Sequence, residues 1–83
     1  MNGGTTALHN VLYERRCQDE KWGEQNHNPY KWLAILLEEV GEASKDLLEK
    51  ELLKYRDEMV QVAAVALAAI ESYDRQAQEQ DDE

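Results

Sequence analysis

After Pro29 the chain contains no proline, and its only glycine is Gly41. Nothing local interrupts a helix from Tyr30 onward, and the stretch Lys45–Arg56 has neither residue. One unbroken helix from Tyr30 to Gln76 would be a rod about 70 Å long, at 1.5 Å rise per residue. A chain of 83 residues cannot bury both apolar faces of such a rod. The rod must therefore fold back on itself. A tight turn near Glu49–Glu51 splits it into two antiparallel helices, the first over residues 30–48 and the second from residue 51 to Tyr73 or Gln76.

Upstream, Leu8, Val11, Leu12 and Arg15 recur at helical spacing, with Trp22 two turns on. The spacing predicts a helix over 6–22, with Thr5 or Thr6 as its cap. Gly23 ends that pattern, and 23–29 reads as a loop. Asn28 precedes Pro29 and is thereby steered out of helix, while Pro29 suits the first turn of the next one. The expectation is a single all-α domain over 1–83 with three main helices, a loose start at 1–5 and a frayed acidic tail at 77–83. The run Val60–Ile70 is apolar nearly all round and rich in alanine, the pattern of a helix central to a bundle or lying at a subunit interface. Three helices leave apolar surface on the last of them, so a bundle of four-helix type completed by self-association is expected, as a dimer or a dimer of dimers.

The single cysteine excludes an internal disulfide, so a core this small needs a metal, a cofactor or a second copy to support it. Charges interrupt every apolar run well short of 18 residues, which excludes a membrane span. Met1–Thr6 lacks the basic and apolar segments of a secretion signal, so a cytoplasmic location is expected. Net charge is −9. Such a surface repels a nucleic-acid backbone, and it admits a nucleoside triphosphate only if a divalent cation intervenes.

The acids have a pattern that suits that cation. Glu39 and Glu42 lie three apart and share a helix face, which Glu38 overlaps; Glu58 and Gln61 do the same on the last helix. With the turn near residue 50, Glu42 and Glu58 are each about 12 Å from it and therefore level, and Glu39 faces Gln61 one turn further on. Carboxylates flanked by Ile35-Leu36-Leu37 and Val40 carry a desolvation cost that a cation would relieve. An all-oxygen set suits magnesium, with manganese as a substitute, better than zinc. Any one of these glutamates alone reads as a solvated helix face.

Glu39-Val40-Gly41-Glu42 followed by Glu58-Met59-Val60-Gln61 resembles the paired Glu-x-x-Glu and Glu-x-x-Asp motifs of the MazG-like, all-α nucleoside triphosphate pyrophosphohydrolases. Arg16–His27 and Gln61–Ala66 resemble the short members of that family found in phages and mobile gene cassettes, and the resemblance spans roughly residues 8–74. It implies cleavage between the α- and β-phosphates of a nucleoside triphosphate, with Glu39, Glu42 and Glu58 binding magnesium. Gln61 departs from the family's usual Asp and offers one neutral oxygen in place of a carboxylate.

On this reading Glu38 would orient or deprotonate the attacking water. Lys54, one turn before Glu58, would meet a phosphate or else form a surface ion pair with Glu51 or Glu58. Trp22, Gln25, Asn26 and His27 would supply a flat apolar surface and polar groups for the base, or else serve core packing, turn formation and capping. The rival expectation is a non-catalytic helical module that self-associates or binds nucleotide at a degenerate metal site.

Overall fold

The computed structural model describes residues 3–81. It is all helical: α1 spans Gly3–Trp22, α2 Pro29–Leu48 and α3 Leu52–Asp81.

Three local devices set the boundaries. Gly23 closes α1 at φ 72, the left-handed conformation a glycine adopts without steric cost, and its N–H donates to the Asp19 carbonyl at 2.8 Å. Asn28 caps α2: its Oδ1 accepts from the Lys31 N–H at 2.9 Å, and Pro29 fills the first helical position. The expected turn falls at Glu49–Glu51. There the Glu51 N–H donates to the Asp46 carbonyl at 2.8 Å and the Lys50 N–H to the Leu47 carbonyl at 3.0 Å. This pair of bonds is a Schellman closure, and Lys50 occupies its left-handed position at φ 60.

Both ends depart from expectation. Helix α1 begins at Gly3, inside the stretch 1–5 expected to be loose, because glycine lowers helix stability by about 1 kcal/mol without forbidding the conformation. Helix α3 runs to Asp81 through the tail expected to fray. The residues there, Gln76, Ala77 and Gln78, are good helix formers, and Gln76 Nε2 reaches the Asn26 carbonyl at 3.3 Å. Met1, Asn2, Asp82 and Glu83 lie outside the described residues.

Helix α3 is the central element. It packs along α2 on one side and against α1 on another, and α1 and α2 make no comparable contact. The small core lies between α2 and α3, where Trp32, Val65 and Ala68 are buried with Ile35, Leu36 and Ala69 packed around them. The pair is joined to α1 by Arg15, which bonds Glu71, and by Arg56, whose Nη2 donates to Asn10 Oδ1 at 2.9 Å. Among the described residues no helix is long and apolar enough to cross a membrane.

The arrangement is open. Its radius of gyration is 14.5 Å, against about 12 Å for a compact domain of this length. Its accessible surface is 6449 Å², against about 5,100 Å² for a compact chain of 9.6 kDa.

Candidate active site: an acidic pair opening into a cleft

Antiparallel α2 and α3 bring Glu39 and Glu58 together. Glu58 is hydrogen-bonded to Glu39, and its Oε2 is buried with no partner. Desolvation by burial comes first among the causes that push the Glu58 carboxyl from an ordinary 4.5 up to about 7, followed by the bond to Glu39 and the charges of Glu39, Asp46 and Glu42. Glu58 is therefore the focus of an acidic group drawn from both helices, and it is held half-protonated near neutral pH. Asp46, at the foot of α2, belongs to this group and was not among the sequence candidates; lying four residues after Glu42, it shares that helix face.

The donor set is all oxygen, and one buried carboxylate oxygen has no partner, so these residues fit a hard divalent cation. Their side chains are not yet gathered as ligands: among the described residues no three His, Cys, Asp or Glu side chains stand close enough to hold an ion. Closing on a cation would require Glu42 and Asp46 to turn toward Glu58, which exposed or half-buried glutamate and aspartate side chains can do by rotamer change.

Glu39 also forms one end of a cleft of about 380 Å³. Gln61 lines the same cleft from α3. Ile35, Val65 and Ala68 form an apolar floor. The far end is built by Trp22, Gln25 and Trp32 with Arg15, Glu71 and Arg75. From Gln61 to Arg75 the cleft follows α3 for about 21 Å, at 1.5 Å per residue. The indole N–H of Trp32 is buried in this wall without an acceptor.

The sequence candidates divide. Trp22 and Gln25 line the cleft, with Lys21 Nζ 4.7 Å from the Trp22 ring centroid. Asn26 faces α3, where its Oδ1 accepts from Arg75 Nε at 3.0 Å, while its Nδ2 donates to Glu24 at 3.0 Å. His27 packs against Trp32, with ring centroids 4.9 Å apart, and lines a separate apolar groove of about 190 Å³ with Leu33 and Tyr73. Glu38 is exposed and lies outside the cleft lining. Lys54 pairs with Glu51 at 3.7 Å and does not line the cleft.

The two cations that do line it, Arg15 and Arg75, carried no signal in the sequence. They lie 60 positions apart and meet the cleft only because α1 and α3 pack together. Arg75 is tied to the 23–28 loop, through Glu24 at 3.3 Å and the Gln25 carbonyl at 3.1 Å. Comparisons with protein-family models, curated proteins and solved structures found no match.

Proposed function

We propose that this chain is a magnesium-dependent nucleotide pyrophosphohydrolase of the MazG-like type, converting a nucleoside triphosphate to the monophosphate and pyrophosphate. The observation that carries the reading is Glu58: a carboxyl with a buried, unpartnered oxygen, crowded by Glu39, Glu42 and Asp46, of which Glu39 also lines a nucleotide-sized cleft. Such crowding of acids is costly without a cation and favourable with one.

In this reading Glu39, Glu42 and Glu58 hold magnesium, with manganese as a substitute, and Gln61 contributes its amide oxygen. The bound ion would neutralise phosphate charge and acidify a water. The chain's own residues do the rest. Gln61 keeps a polar group at the cleft's acidic end without adding charge. The apolar floor excludes water from the scissile region. Trp22 offers a ring face to the base and Gln25 a hydrogen-bonding group beside it. Glu38 and Lys54 neither line the cleft nor act on the Glu58 carboxyl, so neither is given a role in the reaction.

Self-association belongs to the same proposal. The surface in excess of a compact chain, together with an uncharged exposed stripe on α2 and α3, supports pairing of two α2–α3 hairpins as a four-helix bundle. A chain of charge −9 that works on nucleotides would meet its substrate in the cytoplasm.

The test is hydrolysis of a deoxynucleotide panel with magnesium, followed by pyrophosphate release. Glu42→Gln and Glu58→Gln should each lower turnover at least a hundredfold; wild-type turnover in both would sink the reading.

The second reading is a non-catalytic nucleotide-binding or oligomerisation module. It is favoured by Gln61 at the position where the family usually has Asp. It predicts no pyrophosphate from any nucleotide in the panel and little thermal stabilisation by magnesium.

A further inference from the structure

The cleft holds an acidic majority and two guanidinium groups. Asp19, Glu24, Glu39 and Glu71 line it, against Arg15 and Arg75. A polyanion entering there needs fixed positive charge beyond any bound ion. The two arginines are not equally able to supply it.

Arg75 is engaged along its length by one loop. It donates to Asn26 Oδ1 and to the Gln25 carbonyl, and pairs with Glu24. These contacts hold the 23–28 loop on α3, and a ligand that took Arg75 would have to release the loop.

Arg15 differs. Its side chain is 11% exposed and lines the cleft, and its Nε is buried without any partner. Nη1 donates to Gln18 at 3.2 Å and to Asp19 at 3.1 Å. Nη2 is bonded to Glu71, with a longer contact to Asp19 at 3.4 Å. The acids on this guanidinium are the more exposed partners, 57% for Asp19 and 41% for Glu71. They can swing into water at little cost, whereas Arg15 cannot leave.

We infer that Arg15 is a phosphate-binding residue of the cleft, and that Glu71 occupies its guanidinium until a triphosphate displaces it. A guanidinium offers a planar fork of donors matched to two phosphate oxygens. Asp19 spans that fork with both its oxygens, while Glu71 meets Nη2 through Oε1 alone and so holds a donor position that a phosphate oxygen would take. The position suits the length of a nucleotide. Glu71 lies ten residues beyond Gln61 on α3, about 15 Å of helix axis, and the side chains at either end reach into that gap. A triphosphate anchored at the Glu39 end therefore reaches Arg15, with Trp22 and Gln25 beyond it for the base. This inference deepens the proposed function by naming the side chain that takes the phosphate lying between the acidic end and the base.

The experiment measures binding of inorganic tripolyphosphate to the full chain by calorimetry, with and without magnesium. The non-hydrolysable nucleotide dUMPNPP is titrated in parallel. Arg15→Gln should weaken tripolyphosphate binding ten- to a hundredfold, the loss expected for a charge-assisted bidentate contact. Glu71→Gln keeps the Arg15 charge and removes its competitor, so it should tighten binding three- to tenfold. A purely structural Arg15–Glu71 bridge makes the opposite forecast: Glu71→Gln would lower thermal stability and leave tripolyphosphate affinity unchanged or weaker. That outcome overturns the inference, even if Arg15→Gln fails to fold. If tripolyphosphate is bound as expected but neither dUMPNPP nor the corresponding analogue of any other base is, the site takes free polyphosphate and not the phosphates of a nucleotide, which overturns the inference as stated. The outcomes separate from those of the proposed function. Wild-type hydrolysis with no effect of Glu71→Gln on affinity removes Arg15 alone, and an Arg15- and Glu71-dependent affinity without any hydrolysis removes the enzyme.

Discussion

Glu58 and Glu39 interact across the α2–α3 pair, and Glu58 Oε2 is buried and unpartnered. Burial and the neighbouring acids raise the Glu58 carboxyl, and the proton it retains has a thermodynamic consequence. Glu58 holds its proton up to about pH 7 in the folded chain, against an ordinary 4.5. The folded state therefore binds that proton more tightly than the unfolded state does. The corresponding stability is fully present below about pH 4.5 and is lost as pH rises through 7. Without metal, thermal melts should show higher stability at pH 5.5 than at pH 8. The expected size is about 1–2 kcal/mol, from 1.4 kcal/mol per decade reduced because the carboxyl is only half-buried. Glu58→Gln carries no proton to lose and should flatten this part of the profile; an unchanged slope in that variant would show that the pH dependence arises elsewhere.

Magnesium should oppose the proton at the same carboxyl. A cation held by Glu39, Glu42 and Glu58 requires them ionised, so it competes directly with the Glu58 proton. Added at a hundred times its dissociation constant, magnesium should stabilise the chain by about 2.7 kcal/mol at pH 8. The same concentration should do much less at pH 5.5, and almost nothing in Glu58→Gln. Melting curves over a magnesium titration at both pH values decide it, and equal stabilisation at both would place the ion away from Glu58.

The turn between α2 and α3 offers a cleaner measurement, free of any functional assumption. Lys50 sits at φ 60, where a side chain with a Cβ is disfavoured by about 1 kcal/mol and glycine is not. Lys50→Gly keeps both closing hydrogen bonds, because they come from the backbone. The variant should gain about 0.5–1 kcal/mol in chemical denaturation with an unchanged slope; a loss of stability would mean that the Lys50 side chain contributes more than its backbone conformation costs.

Lys50 also shows where the sequence was legible and where it was not. The existence of this turn followed from global length, since no Gly or Pro marks it. The left-handed position that glycine usually fills is taken here by a lysine. That Glu39 and Gln61 would share one cleft was legible because two antiparallel helices joined by a short turn leave little freedom of register. Arg15 and Arg75 were not legible. Which helix face α1 turns toward α3 depends on the path of the 23–28 loop, and six residues of loop encode no angle. For the same reason His27 could be placed in the loop but not on a side of α2, and it lies against Trp32 in the apolar groove, away from Gln25 in the cleft.

The stripe that α3 leaves uncovered yields the last prediction. Met59, Ala63, Ala66, Ile70 and Tyr73 recur at steps of four, three, four and three on α3, and Tyr73 borders the apolar groove that Leu33 of α2 also lines. On α2, Leu33, Leu37, Val40, Ser44 and Leu47 do the same. None carries a charge, although the chain as a whole has −9. Two copies approaching by any other surface would meet mutual repulsion, so an uncharged face is where pairing costs least. Leu37 is 60% exposed and Ile70 57% exposed, values unusual for aliphatic side chains on an apolar stripe. Sedimentation at micromolar concentration should therefore find a dimer or a larger even-numbered assembly in place of a monomer. Ile70→Glu puts a like charge from each copy into the stripe and should shift the species to monomer, by at least a hundredfold in dissociation constant. The helix itself should survive, because Ile70 faces away from the Trp32–Val65–Ala68 core. A wild-type chain that sediments as a monomer at the highest accessible concentration would show that the stripe is covered by something other than a second copy.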